Sequence, residues 1–409
     1  MVCDSLPQEL LDTILDNLHD DYPSLKSCAL AARTFVASAR IHAFRRVEIL
    51  PPKDPLSSPN PCQRFHELLT SSPHIASLVQ ELTIVLVNSE TNYDLEGDSL
   101  DDRRVPWVMA DQTLSLVLPQ LDLKRISITE DLQRRWNPGG RYSMNWDSMD
   151  RRLRSALMNK FSSPRLEAVH LRGIVVESPR QLLSFFSEAA SLKEISLSRF
   201  FFSKPDNEHE AWPELQLWRP QLRSLLVYDF QNREFCRYLV NPQIDLTAVK
   251  SLSLAVYWTE AGWRERLIQA TSAGVEHLRY WSMSATDCNP EIFCPNLRSV
   301  HIFSYSIFEF LCIFFKSYPY DTHLECITLE GHGDTPVSGP AELEAVIGPT
   351  VARFRSLKLV EIRSTLKRSF AQFAEWAAAV RAALPSLEGR GLLRVTEAPW
   401  PHNEAHHWE

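Results

Sequence analysis

Val249-Lys250-Ser251-Leu252-Ser253-Leu254, Val275-Glu276-His277-Leu278-Arg279-Tyr280 and Leu297-Arg298-Ser299-Val300-His301-Ile302 are three copies of one pattern. In each, a large apolar residue is followed three and five positions later by two more. The last two alternate with other residues, as a strand with one buried face requires. The pattern recurs at Val79/Leu82/Ile84, Leu123/Ile126/Ile128, Leu166/Val169/Leu171, Leu192/Ile195/Leu197, Leu222/Leu225/Val227, Leu324/Ile327/Leu329 and Leu357/Val360/Ile362. The first two intervals are 44 and 43 residues, and the rest run from 22 to 33. Segments that read as helices lie between the copies, over 181–189, 260–270, 306–316 and 342–354. Pro164, Pro220 and Pro295 each stand two residues before a copy, where a helix has to end. The unit is strand, loop, helix, and such units stack into a parallel sheet with helices on one face. A doubly wound sheet also alternates strand and helix, but with longer helices and continuously apolar strands.

The pattern resembles a leucine-rich repeat. That resemblance implies an α/β solenoid over 63–398, with a parallel concave sheet and helices on the convex face. The chain departs from the family at the ninth position, where Asn or Cys is usual. Here it has Val87, Ile174, Phe200, Phe230, Tyr257, Met283 and Tyr305. Aromatic packing in place of an Asn ladder makes the solenoid irregular. An amphipathic helix over 370–384, with Leu392, Leu393 and Val395, reads as its cap, and 399–409 as a loose tail.

Residues 6–49 follow a different pattern. Leu6-Pro7-Gln8-Glu9-Leu10-Leu11 is followed by Ile14-Leu15, Leu18, Leu25, Cys28-Ala29-Leu30, Arg33, Phe35 and Phe44-Arg45-Arg46-Val47-Glu48-Ile49. Three short helices fit, from Pro7 in a first turn, from about Ser24 to Ala31, and from about Thr34 to Phe44. Ser5 and Gln8 have the spacing of a cap pair. Leu10, Leu11, Ile14, Leu15 and Leu18 form an apolar stripe too rich for fifty residues to bury alone. The stretch resembles an F-box, with Phe44 where the family often has Trp. The resemblance implies a three-helix domain over 1–50 that docks a Skp-type adaptor, and through it a cullin-RING ubiquitin ligase. Leu6, Pro7, Leu10, Ile14, Leu18 and Leu30 are the expected adaptor contacts. Residues 51–62 hold five prolines and read as a stiff connector between separable domains.

The composition, 44% hydrophobic and 23% charged in 409 residues, is globular. A net charge of −8 argues against binding nucleic acid through its phosphates. The eight cysteines are scattered without a C-x-x-C and read as reduced thiols of a cytoplasmic or nuclear protein. No basic region leads into an apolar run at the N-terminus, and the most apolar stretch, 307–315, is too short to span a bilayer. Phosphate-loop, dinucleotide and nucleophile-elbow motifs are absent, so no catalytic residue and no cofactor are expected. Gly331-His332-Gly333-Asp334 has no nucleophile beside it. Cys288 with Cys294, and His402, His406 and His407, do not make a convincing metal site.

Two insertions fill the long intervals. One, over 90–102, holds six acids and reads as a solvated loop. The other, over 130–154, mixes arginines with Trp136, Tyr142 and Trp146, residues able to stack on bases or hold an acidic peptide. The sheet carries the better signal. By strand alternation, Leu226, Tyr228, His277, Arg279, Trp281, His301 and Phe303 point away from the core. Exposed Tyr, Trp and Arg in one patch are residue types that dominate binding energy. The histidines are expected to strengthen contact at lower pH. The function that the resemblance to an F-box and a leucine-rich repeat implies is a non-catalytic substrate-recognition subunit of a Skp-cullin-F-box ligase, with a protein substrate on the repeats. The alternative is a leucine-rich-repeat scaffold acting outside a ubiquitin ligase.

Overall fold

Apolar triplets at strand spacing determine where the sheet forms. The structure, a computed structural model, describes residues 7–52, 60–86, 106–129, 144–203, 221–228, 239–240, 244–255, 262–282, 294–304, 307–318, 323–331, 340–365 and 369–398. It is α/β and divides into two compact units. One comprises residues up to 131 with 141–171, the other 132–140 with residues from 172 onward.

In the first unit α1 (Gln8–Asp16), α2 (Tyr22–Ala31) and α3 (Arg33–Arg45) pack around Leu15, Leu25 and Ala39. Pro7 is the N-cap of α1, with ψ 143°, rather than part of the first turn as expected. Ser5 lies outside the described residues. Gln8 bonds Asp12 Oδ1 at 2.8 Å and the Thr34 carbonyl at 3.4 Å instead of serving a cap. α2 starts two residues before its expected boundary because Asp21 caps it, accepting from Ser24 N at 3.1 Å and Ser24 Oγ at 2.6 Å.

α3 runs directly into β1 (Arg46–Ile49), a strand where the sequence reading sees only the close of the helical segment. β1 lies parallel to β2 (Glu81–Val85), with Val47 opposite Leu82 and Ile49 opposite Ile84. Between them, α4 (Pro61–Ser71) begins inside the expected connector, through a capping box of Asn60 and Gln63. The unit continues with α5 (Leu114–Val117), β3 (Arg125–Thr129), β4 (Met144–Asn145), α6 (Arg151–Phe161) and β5 (Ala168–Arg172). β2 pairs in parallel with β3, and β3 with β5.

The second unit contains β6 (Ile174–Val176), α7 (Pro179–Phe186), β7 (Glu194–Ser198), β8 (Phe201–Phe202), β9 (Ser224–Tyr228), β10 (Ser251–Ala255), α8 (Gly262–Thr271) and β11 (His277–Ser282). It goes on through β12 (Ser299–Ser304), α9 (Ile307–Ser317), β13 (Cys326–Gly331), α10 (Pro340–Val351), β14 (Leu359–Ser364), α11 (Phe370–Ala383), α12 (Pro385–Gly389) and β15 (Leu393–Glu397). β7 and β9 to β15 pair in parallel in chain order. The register sets like on like: Ile195, Leu225, Leu252, Leu278, Val300, Ile327 and Val360 form one row. All three apolar positions of all ten copies are buried, including Leu252 and Leu254. Each triplet therefore supplies core on one face of its strand. α9 packs against β12, β13 and α10 on that side, with Phe315 edge-on to Phe354 at 5.2 Å.

Two of the ninth-position residues are described, and both are buried: Ile174 and Phe200. Ile174 opens β6 and Phe200 directly precedes β8, and these two short strands pair in parallel, Val175 opposite Phe201. Phe200 meets Phe202 edge-on at 5.7 Å. The second residues of five successive copies form an ion-pair ladder. Lys250 meets Glu276 at 2.7 Å, Glu276 meets Arg298 at 3.7 Å, Arg298 meets Glu325 at 3.9 Å, and Glu325 meets Lys358 at 2.5 Å.

Candidate functional site

The N-terminal helices leave much apolar surface uncovered. Leu11 and Leu15 turn inward from α1, and Leu10 and Ile14 turn outward, about half exposed. Leu30 on α2 is 79% exposed. Six of the seven exposed large hydrophobics among the described residues fall between 10 and 50: Leu10, Ile14, Tyr22, Leu30, Ile41 and Leu50. Of the residues expected to meet an adaptor, Pro7, Leu10, Ile14 and Leu30 are exposed. Leu18 is half-buried against the Leu15 cluster, and Leu6 lies outside the described residues. Tyr22, Ile41 and Leu50 are exposed as well and were not singled out from spacing. Isolated apolar residues carry no periodic signal.

Polar contacts hold these helices together and to the first strands. Ser38 donates to Asp12, and with Gln8 it keeps the Asp12 carboxyl below its ordinary range. His42 Nε2 lies 2.9 Å from Asp16 Oδ1. Arg46 bridges Asp20 at 2.9 Å and Glu81 at 3.1 Å, and Arg45 approaches Glu81 at 3.6 Å. The face made by α1 to α3 is thereby tied to β1 and β2.

In the second unit, the residues expected to point away from the core, His277 apart, stand in two rows across the strands. One row is Leu226, Ser253, Arg279, His301, Thr328, Glu361 and Arg394. The other is Tyr228, Ala255, Trp281, Phe303, Glu330, Arg363 and Thr396. His277 is exposed, while Leu226, Arg279, Trp281 and His301 are half-buried. Tyr228 and Phe303 are buried. They owe this in part to neighbours in their own row. Phe303 lies 4.1 Å from Trp281 between ring centres, and Tyr228 meets Trp281 edge-on at 5.8 Å from two strands away. Tyr228, Trp281 and Phe303 form an aromatic strip within the row, with Trp281 its most accessible member.

Beyond Phe303 the strip becomes charged. His301 Nε2 is 3.0 Å from Glu330 Oε2, and Arg363 lies 4.0 Å from Glu330 and 2.7 Å from Glu361. Burial lowers the His301 pKa below its ordinary value, and the hydrogen bond to Glu330 opposes this without overcoming it. Burial alone would raise the Glu330 pKa. The His301 hydrogen bond and the charges of His301, Arg279 and Arg363 outweigh it and hold the carboxyl low. The expected strengthening of contact at lower pH therefore has little support at His301, which resists protonation. Glu330, Glu361 and Arg363 are the site residues that spacing did not bring forward. They occupy the same fifth and seventh positions as Arg279 and Trp281, and that was the signal.

The insertion over 90–102 lies outside the described residues, as do 130–143 and 399–409. In the remainder of the second insertion Trp146 is buried in the core, stacked on Phe161 at 5.9 Å, so it offers no ring to a base. Cys294 is buried, which pushes its thiol up to about 11. Among the described residues no group of three or more His, Cys, Asp and Glu side chains could hold a metal ion, and no helix is long and apolar enough to cross a membrane. The class these surfaces define is an α/β protein of sequentially paired parallel strands with a helical N-terminal face. No family model matches the chain, and no curated protein matches it.

Proposed function

We propose that the chain is a substrate-recognition subunit of a Skp-cullin-F-box ubiquitin ligase. The F-box spans residues 1–50, and residues 63–398 are an irregular leucine-rich-repeat solenoid. One observation carries the reading: among the described residues, the exposed large apolar side chains are concentrated on α1 to α3, within the stretch that resembles an F-box, and include its Leu10, Ile14 and Leu30. Exposed apolar surface on that scale calls for a protein partner. Leu10, Ile14 and Leu30 anchor the adaptor, and Pro7 fixes the entry to α1. The outward rows of the second unit hold a protein substrate, with Trp281 as its main anchor. The mechanism is positional. The chain performs no bond chemistry and raises the effective concentration of a substrate lysine near a loaded ubiquitin enzyme. Its place of action is the cytoplasm or nucleus, where such ligases work.

The test is co-purification of the full chain with a Skp-type adaptor, with Leu10→Asp/Ile14→Asp as the control. Wild type retains the adaptor at micromolar concentration. The double variant loses at least about tenfold in affinity, since two buried apolar contacts are each worth about 1.5–3 kcal/mol. Its melting temperature stays close to that of wild type because both side chains face solvent in the free chain. A wild-type chain that retains no adaptor leaves the scaffold reading in its place.

A further inference from the structure

Over β11 to β15 the two outward rows bury their carboxylates and leave guanidinium groups more exposed. Over β11 to β15 the ionised side chains of the two rows are Arg279, Arg363 and Arg394 against Glu330 and Glu361. Glu330 and Glu361 are only 9% and 7% exposed. Each is already served: Glu330 by His301 and Arg363, Glu361 by Arg363 and by Thr396 Oγ1 at 3.3 Å. The Arg363 side chain is 31% exposed, and Arg394 lies in the open. A body approaching this face meets guanidinium first, on a chain whose net charge is −8. Arg363 and Arg394 thus stand at the surface of this face, beside an aromatic strip that ends at Phe303.

We propose that this face docks an acidic polypeptide segment. Its aspartate or glutamate side chains pair with Arg363 and Arg394, and an apolar or aromatic residue rests against Trp281. Trp281 and Arg363 stand three strands apart, roughly 14 Å at the usual strand spacing, so an extended segment places anchor and acid about four residues from each other. The guanidinium groups favour carboxylate over phosphate. Arg363 already shares two carboxylates, so it has little charge left to offset the roughly two charges of a phosphoryl group. The inference rests on the reading in which this face holds the substrate, and it names that substrate's chemical class.

The experiment pans random displayed peptides on the full chain, wild type and Arg394→Glu. Wild type is expected to enrich Asp and Glu together with an aromatic residue about four positions away. Arg394→Glu should weaken binding of a selected peptide by about tenfold. That variant should keep the wild-type melting temperature, because Arg394 is exposed. The same peptide with its acids changed to Asn and Gln should lose binding, and binding to the acidic form should fall as salt is raised. Enrichment of Lys and Arg, no enrichment, tighter binding of a phosphoserine version, or indifference to Arg394→Glu would each overturn the proposal. Adaptor retention is measured on the same preparations. Its loss sinks the ligase reading while leaving the acidic docking face intact, and failed peptide selection with adaptor retained sinks the docking face alone.

Discussion

Arg199 holds a backbone conformation that its side chain disfavours, with φ 49°. The equivalent position one copy earlier is Gly173, with φ 70°. Both follow a strand, and both donate their N–H to the end of a strand, Gly173 to the Ser198 carbonyl at 3.1 Å and Arg199 to the Tyr228 carbonyl at 3.0 Å. The turn requires the left-handed region, and a Cβ there costs energy. Arg199→Gly relieves that cost but frees the unfolded chain, so the expected gain is about 0.5 kcal/mol, read from urea midpoints. A loss of stability would show that contacts of the Arg199 side chain outweigh the strain. His301 and Glu330 give a second expectation. As pH falls below 6.5, the ordinary histidine value, the unfolded chain takes up a proton at His301 before the folded chain does, so stability drops. Below 4.5 the same holds for Glu330, whose stabilisation is present above that value and is lost as pH falls through its lower folded pKa. His301→Gln should flatten the upper of the two windows. An unchanged slope of stability between neutral pH and the carboxylate range would count against the buried neutral imidazole.

Helix α1 has two apolar faces with different duties. Leu11 and Leu15 are core, and Leu10 and Ile14 are surface. Leu15→Ala should cost about 2–5 kcal/mol, while Leu10→Ala should stay within about half a kcal/mol in the free chain. In β10 the alternation is sharper: Leu252 and Leu254 face the core, and Ser251 and Ser253 face outward. Leu254→Ala should cost about 2–5 kcal/mol and Ser253→Ala almost nothing, both measured by chemical denaturation. Comparable costs at the two positions would contradict the register, because a slip of one residue exchanges the faces.

For the chain as a whole, the question is whether residues 1–50 stand alone. The prolines after Ile49 imply a separable domain. β1, however, lies in register beside β2, and Arg46 joins Asp20 to Glu81. Ile49 is buried in that pairing. A fragment of residues 1–50 therefore loses the partner of its own last strand, and should show less helical circular dichroism per residue than the same segment in the full chain. Extending it through β2 to residue 86 should restore cooperative melting. A fragment of 1–50 that melts cooperatively by itself would show that β1 is dispensable to α1, α2 and α3.

Ten strands and most of the helices were legible in the residues, because a triplet with period two can bury only one face, and its recurrence leaves stacking as the way to cover it. Leu252, Leu254, Val300 and Ile302 are core for that local reason. β1 and β15 were not legible as strands. Arg46–Ile49 and Leu393–Glu397 are short, and their conformation comes from the neighbouring strand that each one pairs with. The outward rows could be placed on a face by alternation, but alternation says nothing of how deep a side chain lies. Tyr228 and Phe303 are buried because Trp281, two strands from one and one strand from the other, closes against both. The pKa values of Glu330 and His301 are both held low because their burial and the arginines around them are set by strands dozens of residues apart. Periodicity is a property of adjacent residues and survives in the chain alone, whereas burial and charge environment depend on which distant strands the fold brings together.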